Sequence, residues 1–197
     1  MPTPHGSPVR SSRSVGAFSQ DGRVPRPFYG ENKMFTDVRW KEWTGIDVKN
    51  LFEAATVEEV QERLAQLRPD SERQWGKMNP AQMLAHCSAA INTVTGKNFP
   101  RRILLGRLLG PLAKKSLIVK GEPMRRNSMT EKSALVTDAR NFVVEKHRLC
   151  ESIDRFAAGG PEICTKHPHF FLGPLTPEEW AILTYQHLDH HLRQFGV

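Results

Sequence analysis

The sequence predicts an all-α fold, a four-helix bundle with one long crossover connection. Three observations carry that prediction. Apolar residues recur at helical spacing in four segments, helix-start signals precede those segments, and no stretch alternates as a strand does. Ala134-Leu135-Val136 is the nearest approach to a strand and is too short.

The first helix is expected from Thr56-Val57-Glu58-Glu59, which reads as a capping box, with Val60, Leu64 and Leu67 on one face and Pro69 as the stop. The second is expected from Asn79-Pro80, a cap followed by proline at the first helical position. Met83, Leu84, Cys87, Ala90, Ile91 and Val94 form its stripe, and Gly96 ends it. The third begins near Asp138, carries Phe142, Lys146, Leu149, Ile153 and Phe156 on one side, and closes at Gly159-Gly160-Pro161. Thr176-Pro177-Glu178-Glu179 opens the fourth, which runs to Phe195. Between the second and third lie about 40 residues, in which 103–117 reads as a short amphipathic helix broken by Gly110-Pro111. A connection that long suits a crossover better than simple hairpins.

Residues 1–33 are rich in Pro, Ser, Gly and Arg and too poor in apolar side chains to offset the entropy of ordering. They are expected to form a disordered basic tail, with the folded domain spanning 34–197. No run approaches the ~18–20 apolar residues of a membrane span, and the first residues lack the apolar region of a secretory signal. No membrane partner and a cytoplasmic location are therefore expected. Cys87, Cys150 and Cys164 are odd in number and widely spaced, which argues against a disulfide framework or a thiolate zinc site.

The formal net charge is +7, which raises the question of nucleic acid. The excess lies in the tail and in the 101–126 connection, with no helix-turn-helix, finger or aromatic RNA-binding signature. Specific nucleic-acid binding is not expected.

The histidines carry the functional signal. On the last helix, at ~100° per residue, Trp180, Leu183, Leu188, Leu192 and Phe195 define the inward face, and His187 and His191 fall on it one turn apart. Two imidazoles at i and i+4 can chelate one ion from a single helix, as in H-E-x-x-H enzymes, whose glutamate is absent here. A lone inward histidine is more often a hydrogen-bonded core residue, and protonated histidines also suit a helix C-terminus; a stacked pair is harder to explain that way. His86, near the edge of the second helix's stripe, comes level with the pair if the two helices are antiparallel. Asp189 points away, and His190 lies on the flank. His167 and His169 precede the last helix, ~15–20 Å from His191 along its axis, and stay outside the site. His147 belongs to a charged surface and His5 to the tail.

Asn79-Pro80-Ala81-Gln82-Met83-Leu84-Ala85-His86 and the terminal His187-Leu188-Asp189-His190-His191-Leu192-Arg193-Gln194-Phe195-Gly196 resemble the DinB-like, or YfiT-like, metal-binding superfamily. Trp75-Gly76-Lys77-Met78 and the stretch from His167 to Trp180 resemble one branch of it, a domain without an assigned function. The resemblance covers roughly residues 48–197. It implies an up-down-down-up bundle and a three-histidine metal site at His86, His187 and His191. It also implies a metal-dependent enzyme of the thiol-transfer or hydrolase kind, acting on a small molecule such as a low-molecular-weight thiol.

Three nitrogen ligands leave a coordination position open. Zinc or nickel is the expected ion, with iron or manganese next, because imidazole discriminates poorly among them. No catalytic acid or base follows from spacing. The alternatives are a non-catalytic binding module stabilised by its metal, and a basic interaction protein for acidic partners. A homodimer is the oligomer to test.

Overall fold

The computed structural model describes residues 48–197, apart from 129, 132 and 133; the tail expected at 1–33 lies outside these residues. The described chain is helical. It comprises α1 (Ala54–Gln66), α2 (Pro80–Val94), α3 (Leu104–Lys114), α4 (Phe142–Gly159) and α5 (Pro177–Gln194). A π-helical turn, Lys115–Val119, follows α3, and a 3-10 turn, Gly160–Ile163, follows α4. Among the described residues no strand forms; His169 and Gly173 make an isolated antiparallel bridge.

Two helices start where their capping signals place them. The Asn79 side chain accepts from the Gln82 N–H while the Gln82 side chain accepts from the Asn79 N–H. Thr176 and Glu179 make the same reciprocal pair at the head of α5. Each box satisfies two of the N–H groups that a helix start leaves without an intrahelical acceptor.

Three expectations need correction. α1 starts before Thr56, with Glu53 at its cap and no side-chain cap bond. Asn50 organises that turn: its Oδ1 accepts from the Phe52 N–H, and its amide donates to Glu53 at 3.0 Å. Thr56 then turns inward, donating to Glu53 at 3.1 Å and staying 3% exposed. α4 starts at Phe142 rather than near Asp138, because Asn141 caps the Val144 N–H at 3.1 Å. α3 is not broken at Gly110-Pro111. It runs through Pro111 and passes into the π-helical turn, where Ile118 is fully buried.

Packing follows from which helices share hydrogen bonds. α1 and α2 each pack against both α4 and α5. The Gln74 N–H, just before α2, donates to the carbonyl of Gln194 at the end of α5, so these two run antiparallel. Lys146, early in α4, donates to the Ala65 and Leu67 carbonyls at the end of α1, which makes that pair antiparallel too. At one end the Leu51 N–H, ahead of α1, donates to the Ala181 carbonyl; at the other Arg63 binds Asp189 and the Val197 carbonyl, so α1 and α5 run parallel. Gln82 reaches the Asp138 carbonyl ahead of α4, while the Thr165 N–H, after α4, donates to the Val94 carbonyl at the end of α2, giving a second parallel pair.

The faces that meet are the apolar stripes. Leu149, Ile153 and Phe156 of α4 are fully buried, as are Val60 and Leu64 of α1 and Leu84 of α2. From α5 come Trp180, Leu183, Leu188 and Leu192, with Phe195 at its cap, all under 8% exposed. Burying each large apolar side chain contributes roughly 1.5–3 kcal/mol. No helix among the described residues is long and apolar enough to cross a membrane.

Candidate metal centre

The antiparallel pairing of α2 with α5 brings His86 level with His187 and His191. The ligand-type nitrogens of these three rings lie within 4.8 Å of one another. His86 Nε2 and His187 Nε2 are 3.0 Å apart. Two nitrogens bound at ~2.05 Å in a tetrahedral arrangement would be roughly 3.3 Å apart. The rings stand at steep angles, with centroids 4.6–4.9 Å apart, so the nitrogens rather than the ring faces converge.

Hydrogen bonding fixes which nitrogen two of the three rings offer. His86 Nδ1–H donates to the Ala134 carbonyl at 2.7 Å, leaving Nε2 without a proton. His191 Nδ1–H donates to Gln194 Oε1 at 2.8 Å. The Gln194 amide cannot be reversed, because its Nε2 donates to the Trp75 carbonyl at 2.8 Å. His187 differs: its Nδ1 is enclosed and has no partner. A ring nitrogen held by a carbonyl or amide oxygen sets the tautomer of a ligating histidine and raises its basicity.

The electrostatics favour neutral rings. Burial lowers the pKa of His86. Burial, then the neighbouring imidazoles of His191 and His86, push His187 well below the ordinary value. His191 is pushed down to about 3, by burial first and by His86 second. Three neutral nitrogen donors with no carboxylate among them form a group that could hold a divalent cation.

Asp189 does face away. It binds Arg63 at 2.8 Å and Arg193 at 3.1 Å, tying α1 to α5. His190 lies on the flank, its ring 5.1 Å from His191 and 5.5 Å from Trp75. The Arg126 guanidinium covers Trp75 at 4.2 Å. His167 is remote, bonded to the Pro100 carbonyl. The three cysteines are free; burial pushes the Cys87 thiol up and leaves it inert.

His169 lies outside the three-histidine group, as expected, but nearer to it than its distance along the helix axis implies. The loop before α5 folds back, so that its ring packs 5.6 Å from Trp180, and it lies within electrostatic reach of His187. Its Nδ1 accepts from the Phe171 and Leu172 N–H groups at 3.2 and 3.0 Å. Nε2 therefore carries the proton, and burial holds the ring's pKa at about 4. His169 is a neutral N–H donor near the cluster. The signal was the turn chemistry of His167-Pro168-His169, which returns the chain toward the helix instead of extending it.

A sequence model of the family described as "Protein of unknown function (DUF1569)" matches residues 48–196. The chain belongs to that family. The DUF1569 match spans every helix described above, and all three clustered histidines lie inside it. No curated protein and no solved structure matches this DUF1569 chain.

Proposed function

We propose that this chain is a DinB-like, up-down-down-up four-helix bundle in which Nε2 of His86, His187 and His191 holds a divalent metal ion, zinc or nickel by preference. The observation that carries the reading is the tautomer pattern. Two of the three rings have Nδ1 occupied by a fixed oxygen acceptor, which aims Nε2 at a shared point. The pairwise helix directions support the bundle assignment. Bound there, such an ion supplies a Lewis acid with an open position for a thiolate or a hydrolytic water.

With such an ion the chain would be a metal-dependent transferase or hydrolase acting on a small molecule, a low-molecular-weight thiol being the favoured class, as its resemblance to the DinB-like superfamily implies. His169, within electrostatic reach of His187, offers a neutral N–H donor near the cluster. Trp75, through Gln194, holds the His191 ring. A reducing cytoplasm suits the three free cysteines.

The test is elemental analysis of untagged protein. The wild type should carry about one divalent ion per chain, and His187→Ala should carry none while keeping its helical spectrum. Stoichiometric metal retained by that variant would overturn the assignment. Chelated wild type should stay folded; unfolding on chelation would assign the ion a structural role.

A further inference from the structure

α3 is built inside out. Its buried residues are Gly106 and Gly110, and its leucines face solvent. A Cβ on Gly106 would meet the Phe171 backbone at 2.7 Å, and one on Gly110 would collide with the Phe171 carbonyl. The glycines thus let the helix lie directly on the loop before α5. Leu104, Leu108 and Leu112 are 80%, 78% and 71% exposed, and Leu105 and Leu109 nearly half exposed. At ~100° per residue the leucines cover an arc of about 140°, and Leu108 lies diametrically opposite the glycine pair. Single exposed leucines are ordinary. A contiguous row on the order of 600 Å² is at the upper end of what monomers leave in water and marks an interaction site.

Charge selects the partner. From Lys97 to Gly121 there are seven basic residues and no acidic one. Lys114 is taken by Glu179 at 2.7 Å. Arg101, Arg107 and Lys115 are exposed and have no carboxylate partner among the described residues. Arg107 and Lys115 flank the leucine row, so two copies of this face brought together would set like charge against like charge. Lack of a spanning segment has no bearing on a helix lying in the plane of an interface.

We propose that α3 docks on an anionic lipid bilayer, with Leu104, Leu108 and Leu112 in the acyl boundary and Arg101, Arg107 and Lys115 at the headgroup phosphates. This surface does not depend on the metal assignment. Leucine insertion and headgroup attraction act together, because neither a short apolar row nor a few basic residues anchors a protein stably alone.

Co-sedimentation of the full chain with vesicles tests it. Wild type should bind vesicles of phosphatidylcholine with phosphatidylglycerol about tenfold better than phosphatidylcholine alone, and added salt should release it. A triple variant, Leu104→Ser with Leu108→Ser and Leu112→Ser, should lose about tenfold or more while keeping wild-type melting. So should Arg101→Gln with Arg107→Gln and Lys115→Gln. Failure of the wild type to bind, equal binding to both vesicles, or full binding by the leucine variant would overturn the proposal. A wild-type dimer that the leucine variant converts to monomer, without vesicle binding, would assign the face to a second copy and overturn it as well.

Discussion

His191 donates its Nδ1 proton to Gln194, three residues further along the same helix, at 2.8 Å. Replacing Gln194 with Leu removes the acceptor that, among the described residues, fixes this ring. The expected result is a 10–100-fold loss of zinc or nickel affinity, on the order of what such supporting contacts contribute. Competition against a chromophoric chelator measures it. Gln194→Glu keeps the acceptor for His191 but sets a carboxylate oxygen against the Trp75 carbonyl. It should keep more affinity than the leucine variant while losing stability, and wild-type affinity in the leucine variant would remove Gln194 from the centre.

Gly76 makes room for that glutamine. It adopts φ +77°, and a Cβ there would collide with the Gln194 amide. Gly76→Ala therefore meets backbone strain and displaces the side chain that orients His191. Urea unfolding should show a loss of about 1–3 kcal/mol, and metal affinity should fall with it. A loss of stability without loss of affinity would mean that Gln194 reaches His191 by another path.

Asp189 tests the opposite direction. Its carboxylate is 13% exposed and binds two arginines away from the histidine cluster. Asp189→Ala leaves Arg63 with the Val197 carbonyl and with Glu59 at 3.7 Å and should cost roughly 1.5–3 kcal/mol, the loss of charge-assisted hydrogen bonds. Metal content should stay at the wild-type level, as measured by elemental analysis on the folded fraction.

Acid should weaken the metal-free protein through His169. Burial lowers its folded-state pKa to about 4, below the ~6.5 of an unfolded histidine. Between these values the unfolded chain binds more protons, so stability is fully present above about pH 6.5 and declines as pH falls toward about 4. Melting temperatures of chelated protein should drop across that window, and His169→Gln should flatten the drop. An unchanged slope in the variant would show that His169 is not held neutral by the fold.

Much of this could be read from the chain itself, and the parts that could not share a physical reason. The boxes at Asn79 and Thr176 are local, and each forms as its residue types demand. Thr56 offered the same pattern and failed, because Asn50 and Glu53 satisfied the turn first and left Thr56 facing the core. The leucine spacing of α3 was legible, but its orientation was not. Periodicity cannot say that two glycines rather than five leucines face the fold. The clustering of His86 with His187 and His191 followed from register and antiparallel packing alone. Its supports were hidden: Ala134 is 48 residues from the ring it holds, and an acceptor that is a backbone carbonyl has no residue type to announce it.

The carbonyl of Ala134 belongs to the connection between α3 and α4, at a 3-10 position outside the five α-helices. One of the three imidazoles is thus steadied by the connection and not by another helix of the bundle. Occupancy of the cluster and order in that connection are then linked quantities. An ion that favours the held rotamer of His86 must, by reciprocity, favour the arrangement of the connection that holds it, to the same extent in free energy. Protease cleavage between 120 and 140 should slow when metal is added. Any ligand that grips this connection from outside would raise metal affinity without touching a histidine.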